Sequence, residues 1–361
     1  MYISIGFSGA AGTGVNTAGL FLGEILAAKG YTLWADKEYA SIIKGDNNCF
    51  FLSVSSENEM KLSKKIDLFF AFDDVAITKN QDLYQLENII DVKTPSATHR
   101  NMFAFGACLN IVNIPLSEGE AMMRKYIKPA QYEENLVDLQ AGYSYAKQNY
   151  AYLCETINLS EKIGEDKTLM MGNQLIGEGA IKAGLEFYAA YPMTPITSLI
   201  DTIVEHPEIV FFQGEDEIAV AMAMLGAKFA GKRAMCGTSG GGFALMTESI
   251  AFAHQAEIGG VYILGMRDGP STGSPTFTSQ GDLAFAMNAS FGETTPIVLA
   301  PSTFEEAYTM ISQAFNWADI YQHPVIVLID KQLAEGYKSL ASKDLFTHPI
   351  NRGEKAVATQ Q

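Results

Sequence analysis

The stretch GEDEIAVAMAMLGAKFAGKRAMCGTSGGG, Gly214–Gly242, decides the fold. A β-rich run, Ile209–Phe212, precedes it, and then come three acidic residues, Glu215, Asp216 and Glu217. Ile218, Ala221, Met222, Leu225 and Ala227 follow at helical spacing, which predicts a helix with a buried face. Gly231 ends that helix, Arg233–Cys236 reads as the next strand, and Thr238-Ser239-Gly240-Gly241-Gly242 opens a further helix from Phe243. Strand, helix, strand, glycine turn and helix in one run is the repeating unit of an α/β protein.

The alternation extends on both sides. Downstream of Leu169 the pattern predicts helices over Asn173–Ala183, Pro195–Glu205 and Phe304–Asp319. Strands are expected at Phe187–Ala190, Val261–Gly265, Ile297–Leu299 and Val325–Ile329. Upstream, Tyr2–Phe7 reads as a strand entering Gly9-Ala10-Ala11-Gly12-Thr13-Gly14 and a helix with Val15, Ala18, Leu22, Ile25 and Leu26 on one side. Further strands are expected at Tyr31–Ala35, Cys49–Val54, Asp67–Ala71 and Asn88–Val92, with helices at Asn101–Val112, Glu118–Tyr126 and Gln131–Cys154. Between Glu155 and Thr168 the text turns polar with no apolar period, which marks a boundary. The expected architecture is α/β with two domains, residues 1–160 and 169–345, each a mostly parallel sheet flanked by helices, and a polar tail over 346–361.

A chain of 361 residues, 48% of them hydrophobic, suits two such cores. A net charge of −16 without a Lys/Arg cluster argues against nucleic-acid binding, which needs clustered cations on phosphate. Cys49, Cys108, Cys154 and Cys236 are widely spaced, with no CxxC and no neighbouring His, so no zinc or iron–sulfur site is expected from this chain alone. Free thiols, an N-terminus that opens as a strand, and no long apolar run point to a soluble cytoplasmic protein away from membranes.

Gly9–Gly14 has the spacing of a phosphate-binding loop, but Val15-Asn16 stands where Lys and a hydroxyl residue should follow. Gly12-Thr13-Gly14 begins a dinucleotide fingerprint, yet Thr17 replaces its last glycine. A tight turn packing strand on helix accounts for the same residues.

In parallel sheets ligands sit beyond the carboxyl ends of strands. One such end, Tyr191-Pro192-Met193-Thr194-Pro195, places Thr194 to cap a helix with Pro195 in its first turn, or to face a polar substrate group. At the second end Glu215 and Asp216 are expected to offset the helix dipole in solvent, while helical spacing can turn Glu217 toward the sheet edge as a proton partner. The third, Gly237-Thr238-Ser239-Gly240-Gly241, formally matches the nucleophile elbow of a hydrolase, with Asp282 or Asp330 and His323 or His348 as triad candidates, although His323 precedes Asp330. A glycine turn admitting a flat ring or a phosphate against the backbone is the alternative. The fourth end, Met266–Thr276, is a polar loop in which Arg267 either pairs with Asp268 or offers a bidentate grip on a carboxylate. His254 and Glu257 share a helix face without a completed metal shell, so no metal site is assigned.

Asn173–Gly184, YPMTP at 191–195, GEDEIAVAMAMLGAKFAG at 214–231, GTSGGGFALMTES at 237–249 and MRDGPSTGSPT at 266–276 together resemble the α subunit of the 2-oxoacid:ferredoxin oxidoreductases. Gly6–Gly14, Gly23–Tyr31 and Cys49–Val54 similarly resemble the γ domain that many members fuse ahead of α. The resemblance implies that the second domain is the thiamine-diphosphate pyrimidine-binding domain. It also implies oxidative decarboxylation of a 2-oxoacid with coenzyme A, giving an acyl-CoA, carbon dioxide and reduced ferredoxin. Glu217, nine residues before Gly226 of the Leu-Gly-Ala motif, resembles the glutamate that hydrogen-bonds the aminopyrimidine of thiamine and promotes loss of the thiazolium C2 proton. Thr194 and Arg267 resemble the substrate-contacting pair, while Tyr191, Pro192, Ser239 and Gly240 resemble the lining of the ring pocket. Neither Gly45-Asp46-Asn47 nor Gly281-Asp282-Leu283 gives the GDG…N signature for Mg²⁺ and diphosphate. The family places that site and the [4Fe-4S] cluster on a separate β subunit, so a hetero-oligomer is implied. The chain stops soon after Gly336, where fused members usually continue into another domain, which implies a form short of that domain. The loop after Arg267 and the γ–α order resemble the 2-oxoglutarate branch, with branched-chain and pyruvate branches as alternatives. A serine hydrolase using Ser239 and a non-catalytic nucleotide-binding scaffold are the competing classes.

Overall fold

A computed structural model describes residues 1–40, 46–58, 63–93 and 97–354; Gly45 and residues 355–361 of the expected tail lie outside that set. Its strands in chain order are β1 (Tyr2–Ala10), β2 (Thr32–Glu38), β3 (Asn47–Ser55), β4 (Lys65–Ala71), β5 (Gln85–Asp91), β6 (Thr168–Met171) and β7 (Phe187–Ala190). There follow β8 (Val210–Gln213), β9 (Ala234–Ser239), β10 (Gly260–Met266), β11 (Ile297–Leu299), β12 (Pro324–Asp330) and β13 (Tyr337–Leu340). The chain divides into two compact units, one of Met1–Leu169 with Tyr337–Ser342, the other of Met170–Gly336 with the segment from Lys343 onward.

The first unit holds a sheet of order β5-β4-β1-β3-β2-β13-β6. Here the structure corrects the expectation of a mostly parallel sheet. β1 pairs in parallel with β4, and β4 with β5, but β1–β3, β3–β2 and β2–β13 are antiparallel. Only residues 39–46 separate β2 from β3, too few for the crossover that parallel neighbours require. Phe7 stacks on Phe70 in the core, with ring centroids 4.9 Å apart. Helix Arg100–Ile111 is buried from Met102 onward. It meets helix Pro129–Asn149 at Gly106 and Gly142, where a Cβ on either glycine would overlap a backbone carbonyl of the other helix. β13 was not foreseen as part of this unit. Its Ser339 hydroxyl receives a hydrogen bond from Leu33 N (2.8 Å) and donates one to Tyr31 O (2.9 Å).

The glycine turn after β1 closes on itself. Gly12 and Gly14 take φ +87° and +80°, values that favour glycine, and Thr13 Oγ1 donates to Ala10 O at 2.6 Å. Ala10 N donates to Asp73 Oδ2 at 3.0 Å. A carboxylate therefore takes an N–H that a phosphate would need, which favours the structural turn over a nucleotide site.

The second unit holds a sheet of order β11-β12-β10-β9-β7-β8, parallel at every pairing. The chain runs outward from β7 to β8, then returns to place β9 on the other side of β7. The topological switch lies between β7 and β9, and in such sheets ligands bind beyond the carboxyl ends of the strands there. The expected tail is partly tied down. His348 N donates to Ser312 Oγ and Asn351 N to Asn316 Oδ1, both at 2.9 Å. Among the described residues no helix is long and apolar enough to cross a membrane.

Candidate functional site

The acidic triplet after β8 divides its labour by position. Glu215 is exposed. Asp216 is the N-cap of helix Glu217–Phe229 and accepts from Ala219 N at 2.8 Å, the usual work of such a residue. Glu217 is the first helical residue and only 4% exposed. Among the described residues the one hydrogen bond its carboxylate receives is a long 3.4 Å contact from Thr238 Oγ1, which leaves acceptor capacity on a buried carboxylate. A Cβ on Gly242 would overlap both Thr238 Oγ1 and Glu217 Oε1. Thr238 Oγ1 also lies 3.8 Å from Met193 Sδ, which connects the segment after β7 to this carboxylate.

The segment Tyr191–Thr194 leaves β7 at the switch point, with Tyr191 and Pro192 exposed. Asn173 Nδ2 donates to Pro195 O (2.7 Å) and Ser198 Oγ (2.8 Å), fixing the turn. The structure corrects the capping expectation for Thr194. Residues 194–196 form a turn, and the helix spans Thr197–Val204 with Ile196 at its N-cap and no side-chain cap bond. Among the described residues the Thr194 hydroxyl has no hydrogen-bond partner, so it is available to a ligand. Thr194 O accepts from Arg267 Nη1 at 3.0 Å, bringing together the two residues expected to contact substrate. Arg267 does not pair with Asp268.

The glycine turn differs from its sequence reading, because the helix begins at Gly240 rather than Phe243. Ser239 has no exposed surface, and among the described residues its hydroxyl has no hydrogen-bond partner. Gly240 and Gly241, rather than Ser239, are the accessible positions of this turn, and nothing lies within 4 Å of a Cβ placed on Gly241. The same facts disfavour the hydrolase. Ser239 sits at φ −124°, ψ 175°, ordinary extended backbone rather than the strained turn of a nucleophile elbow. Of its triad candidates, Asp330 caps Leu333 N at 2.8 Å, and His323 faces His254 with Nδ1 atoms 3.2 Å apart. His254 is thereby engaged away from Glu257.

The sequence offered Asp282 only as a triad candidate, and nothing in it singled out Thr238 or Gly242 as neighbours of Glu217. Asp282 lies against Gly240, its Oδ2 3.1 Å from where a Cβ would stand. Burial pushes its carboxyl above the usual carboxylate range, and the Arg267 charge partly offsets this. Burial likewise lowers the Arg267 guanidinium, and Asp282 acts in the opposite sense. Among the described residues no group of three or more His, Cys, Asp or Glu side chains is placed to hold a metal.

A buried acid, a guanidinium, a free hydroxyl and an open glycine turn converge at the switch point of a parallel sheet. Residues 178–357 match the family described as pyruvate flavodoxin/ferredoxin oxidoreductase, thiamine diP-binding, and residues 4–95 the family described as pyruvate ferredoxin/flavodoxin oxidoreductase. The 2-oxoacid:ferredoxin oxidoreductase subunit alpha of Saccharolobus solfataricus is 30% identical over 96% of this chain and 67% of its own length. This chain belongs to the 2-oxoacid:ferredoxin oxidoreductase family. Within that family, the 2-oxoglutarate synthase subunit KorA of Methanocaldococcus jannaschii is 44% identical over 45% of this chain and 45% of its own length. A solved 2-oxoglutarate:ferredoxin oxidoreductase from Magnetococcus marinus, with 2-oxoglutarate, coenzyme A and succinyl-CoA bound, superposes with a TM-score of 0.81 at 28% identity. It covers all of this chain, which spans 68% of that one.

Proposed function

We propose that this chain is the α-type subunit of a thiamine-dependent 2-oxoacid:ferredoxin oxidoreductase. Its substrate is 2-oxoglutarate, decarboxylated oxidatively with coenzyme A to an acyl-CoA, carbon dioxide and reduced ferredoxin. The observation that carries the assignment is the buried Glu217 carboxylate, packed against Gly242 at the switch point with Thr194 and Arg267 on neighbouring strand ends. The 2-oxoglutarate names among the relatives support the substrate.

The residues fit the cofactor. Glu217 has acceptor capacity to spare, Gly241 opens onto free space, and the Thr194 hydroxyl is unpartnered. When bound, thiamine diphosphate supplies the acidic carbon that adds to the 2-keto group and accommodates the electron pair left by carbon dioxide. Glu217 would accept a hydrogen bond from a ring N–H and so favour the ring protonation state that promotes loss of the proton from that carbon. Tyr191 and Pro192, both exposed, and Gly240 would flank the ring. Arg267 donates to the substrate carboxylate, and Thr194 to the substrate's polar end. Under this assignment Mg²⁺, the diphosphate contacts and the [4Fe-4S] cluster belong to a β subunit, and ferredoxin accepts the electrons in the cytoplasm. Helix Glu217–Phe229 supports a partner chain. Val220, Ala221, Met224 and Leu225 are in the core, yet Ile218, Met222 and Phe229 are exposed, and a helix apolar on all sides is ordinarily covered.

The test is the complex with its β-type partner, assayed on 2-oxoglutarate, pyruvate and a branched-chain 2-oxoacid. Glu217→Gln is expected to lower turnover by about a hundredfold or more with an unchanged circular dichroism spectrum. Unchanged turnover sinks the assignment, and labelling of Ser239 by a fluorophosphonate restores the hydrolase.

A further inference from the structure

The register Gly265↔Ser239 sets Gly240 beside Met266 at adjacent ends of β9 and β10, and Arg267 is the next residue. The Asp282 carboxyl rests on Gly240, with Oδ2 3.1 Å from the vacant Cβ position. Asp282 precedes helix Leu283–Met287 but makes no capping bond to it, and its carboxyl has no hydrogen-bond partner among the described residues. Because β9 lies between β10 and β7, the Arg267 side chain, in reaching Thr194 O, spans the end of β9 where Asp282 sits on Gly240, although the two do not form an ion pair; each shifts the other in the sense of opposite charges. Among the described residues the Arg267 side chain makes one hydrogen bond, to Thr194 O. One bond leaves a five-donor planar fork free to pivot. A second force on the guanidinium, from the side of the glycine turn, would fix its plane.

We propose that Asp282 is a positioning residue for Arg267, a role that rests on Arg267 being the contact for the substrate carboxylate. The Asp282 carboxylate, seated where Gly240 lacks a side chain, draws the guanidinium toward the ends of β9 and β10 while Thr194 O holds Nη1. The remaining donors then keep one plane for a bidentate carboxylate. The countercharge also offsets the cost of half-burying Arg267.

Asp282→Asn keeps the shape and removes the charge. In the assembled complex it is expected to lower kcat/KM for the 2-oxoacid about tenfold, mainly through KM, as for coupled neighbouring groups. In an Arg267→Met background the same substitution should change kcat/KM less than about twofold. An equal loss in both backgrounds marks a merely structural role and overturns the proposal. A second measurement needs no turnover: phenylglyoxal modification of Arg267 in the isolated chain, followed by peptide mass. Asp282→Asn should speed it several-fold, while Asp282→Glu, which keeps the charge, should stay near the wild-type rate. An unchanged rate in Asp282→Asn overturns the coupling. If the wild-type complex turns over no 2-oxoacid, the proposed function falls, and the modification rates still decide whether Asp282 governs Arg267.

Discussion

Gly241 and Gly242 are neighbours in sequence with opposite surroundings. A Cβ on Gly242 would overlap Thr238 Oγ1 and Glu217 Oε1, whereas one on Gly241 meets nothing within 4 Å. Gly242→Ala must therefore displace the Glu217 carboxylate, and both thiamine diphosphate binding and turnover should be lost. Gly241→Ala leaves the protein's contacts intact and, inside a helix, should be neutral or stabilising by about 0.5–1 kcal/mol. It nevertheless fills the space assigned to the ring. The expected pair of results is an unchanged or raised Tm with weakened cofactor binding, measured by calorimetric titration of the complex. Full-strength binding by Gly241→Ala would remove the ring from this turn. That Glu217 turns inward was legible, because the acidic triplet, read at helical spacing, separates one residue from the other two. The placement of Asp282 beside Gly240 was not, since a loop carries no period and that placement depends on the tertiary path after β10.

Helix Glu217–Phe229 shows what an element transmits to a site. Its N-cap, Asp216, takes the Ala219 N–H at 2.8 Å and so sets where the first turn begins, with Glu217 as its first residue. Asp216→Ala should cost about 1 kcal/mol, read as a lower urea midpoint with an unchanged slope, and Asp216→Asn should recover most of it. If Asp216→Ala unfolds like wild type, the cap does not set this helix. Strands and helices of the second unit were readable because continuous apolar runs and 3.6-residue periods mark a parallel sheet buried on both faces. The helix starts at Thr197 and Gly240 were less so. Thr194-Pro195 and the triple glycine carry strong local turn signals, and the turn held by Asn173 together with the path out of β9 decides where the first helical bond forms.

At the scale of the whole chain, two α/β units were legible, but the mixed sheet of the first was not. Alternating elements imply parallel pairing only when every connection can cross over, and the link from β2 to β3 cannot. The end of the chain shows the same limit, for nothing in its polar composition marks residues 348–352 as bound. The binding comes from one buried carboxylate in the second unit. Asp319, with a side chain 2% exposed, takes Arg233 Nε and Arg352 Nε at 2.9 Å each and also pairs with Lys228. Arg233, itself buried, donates to Ala183 O at 2.6 Å, Asn316 Oδ1 at 2.8 Å and Asn351 O at 2.9 Å. Asp319→Ala leaves Arg233 and Lys228 buried without their carboxylate, and losing one partner of such a cluster costs about 3–5 kcal/mol. The loss should appear in urea unfolding, with faster tryptic cleavage after Arg352 as the segment comes free. The control is Asp166→Ala, which removes an exposed pair with Lys162 of a kind worth about 0–1 kcal/mol. Equal stability losses in the two variants would mean that the 348–352 segment is held by its backbone bonds to Ser312 and Asn316 rather than by charge.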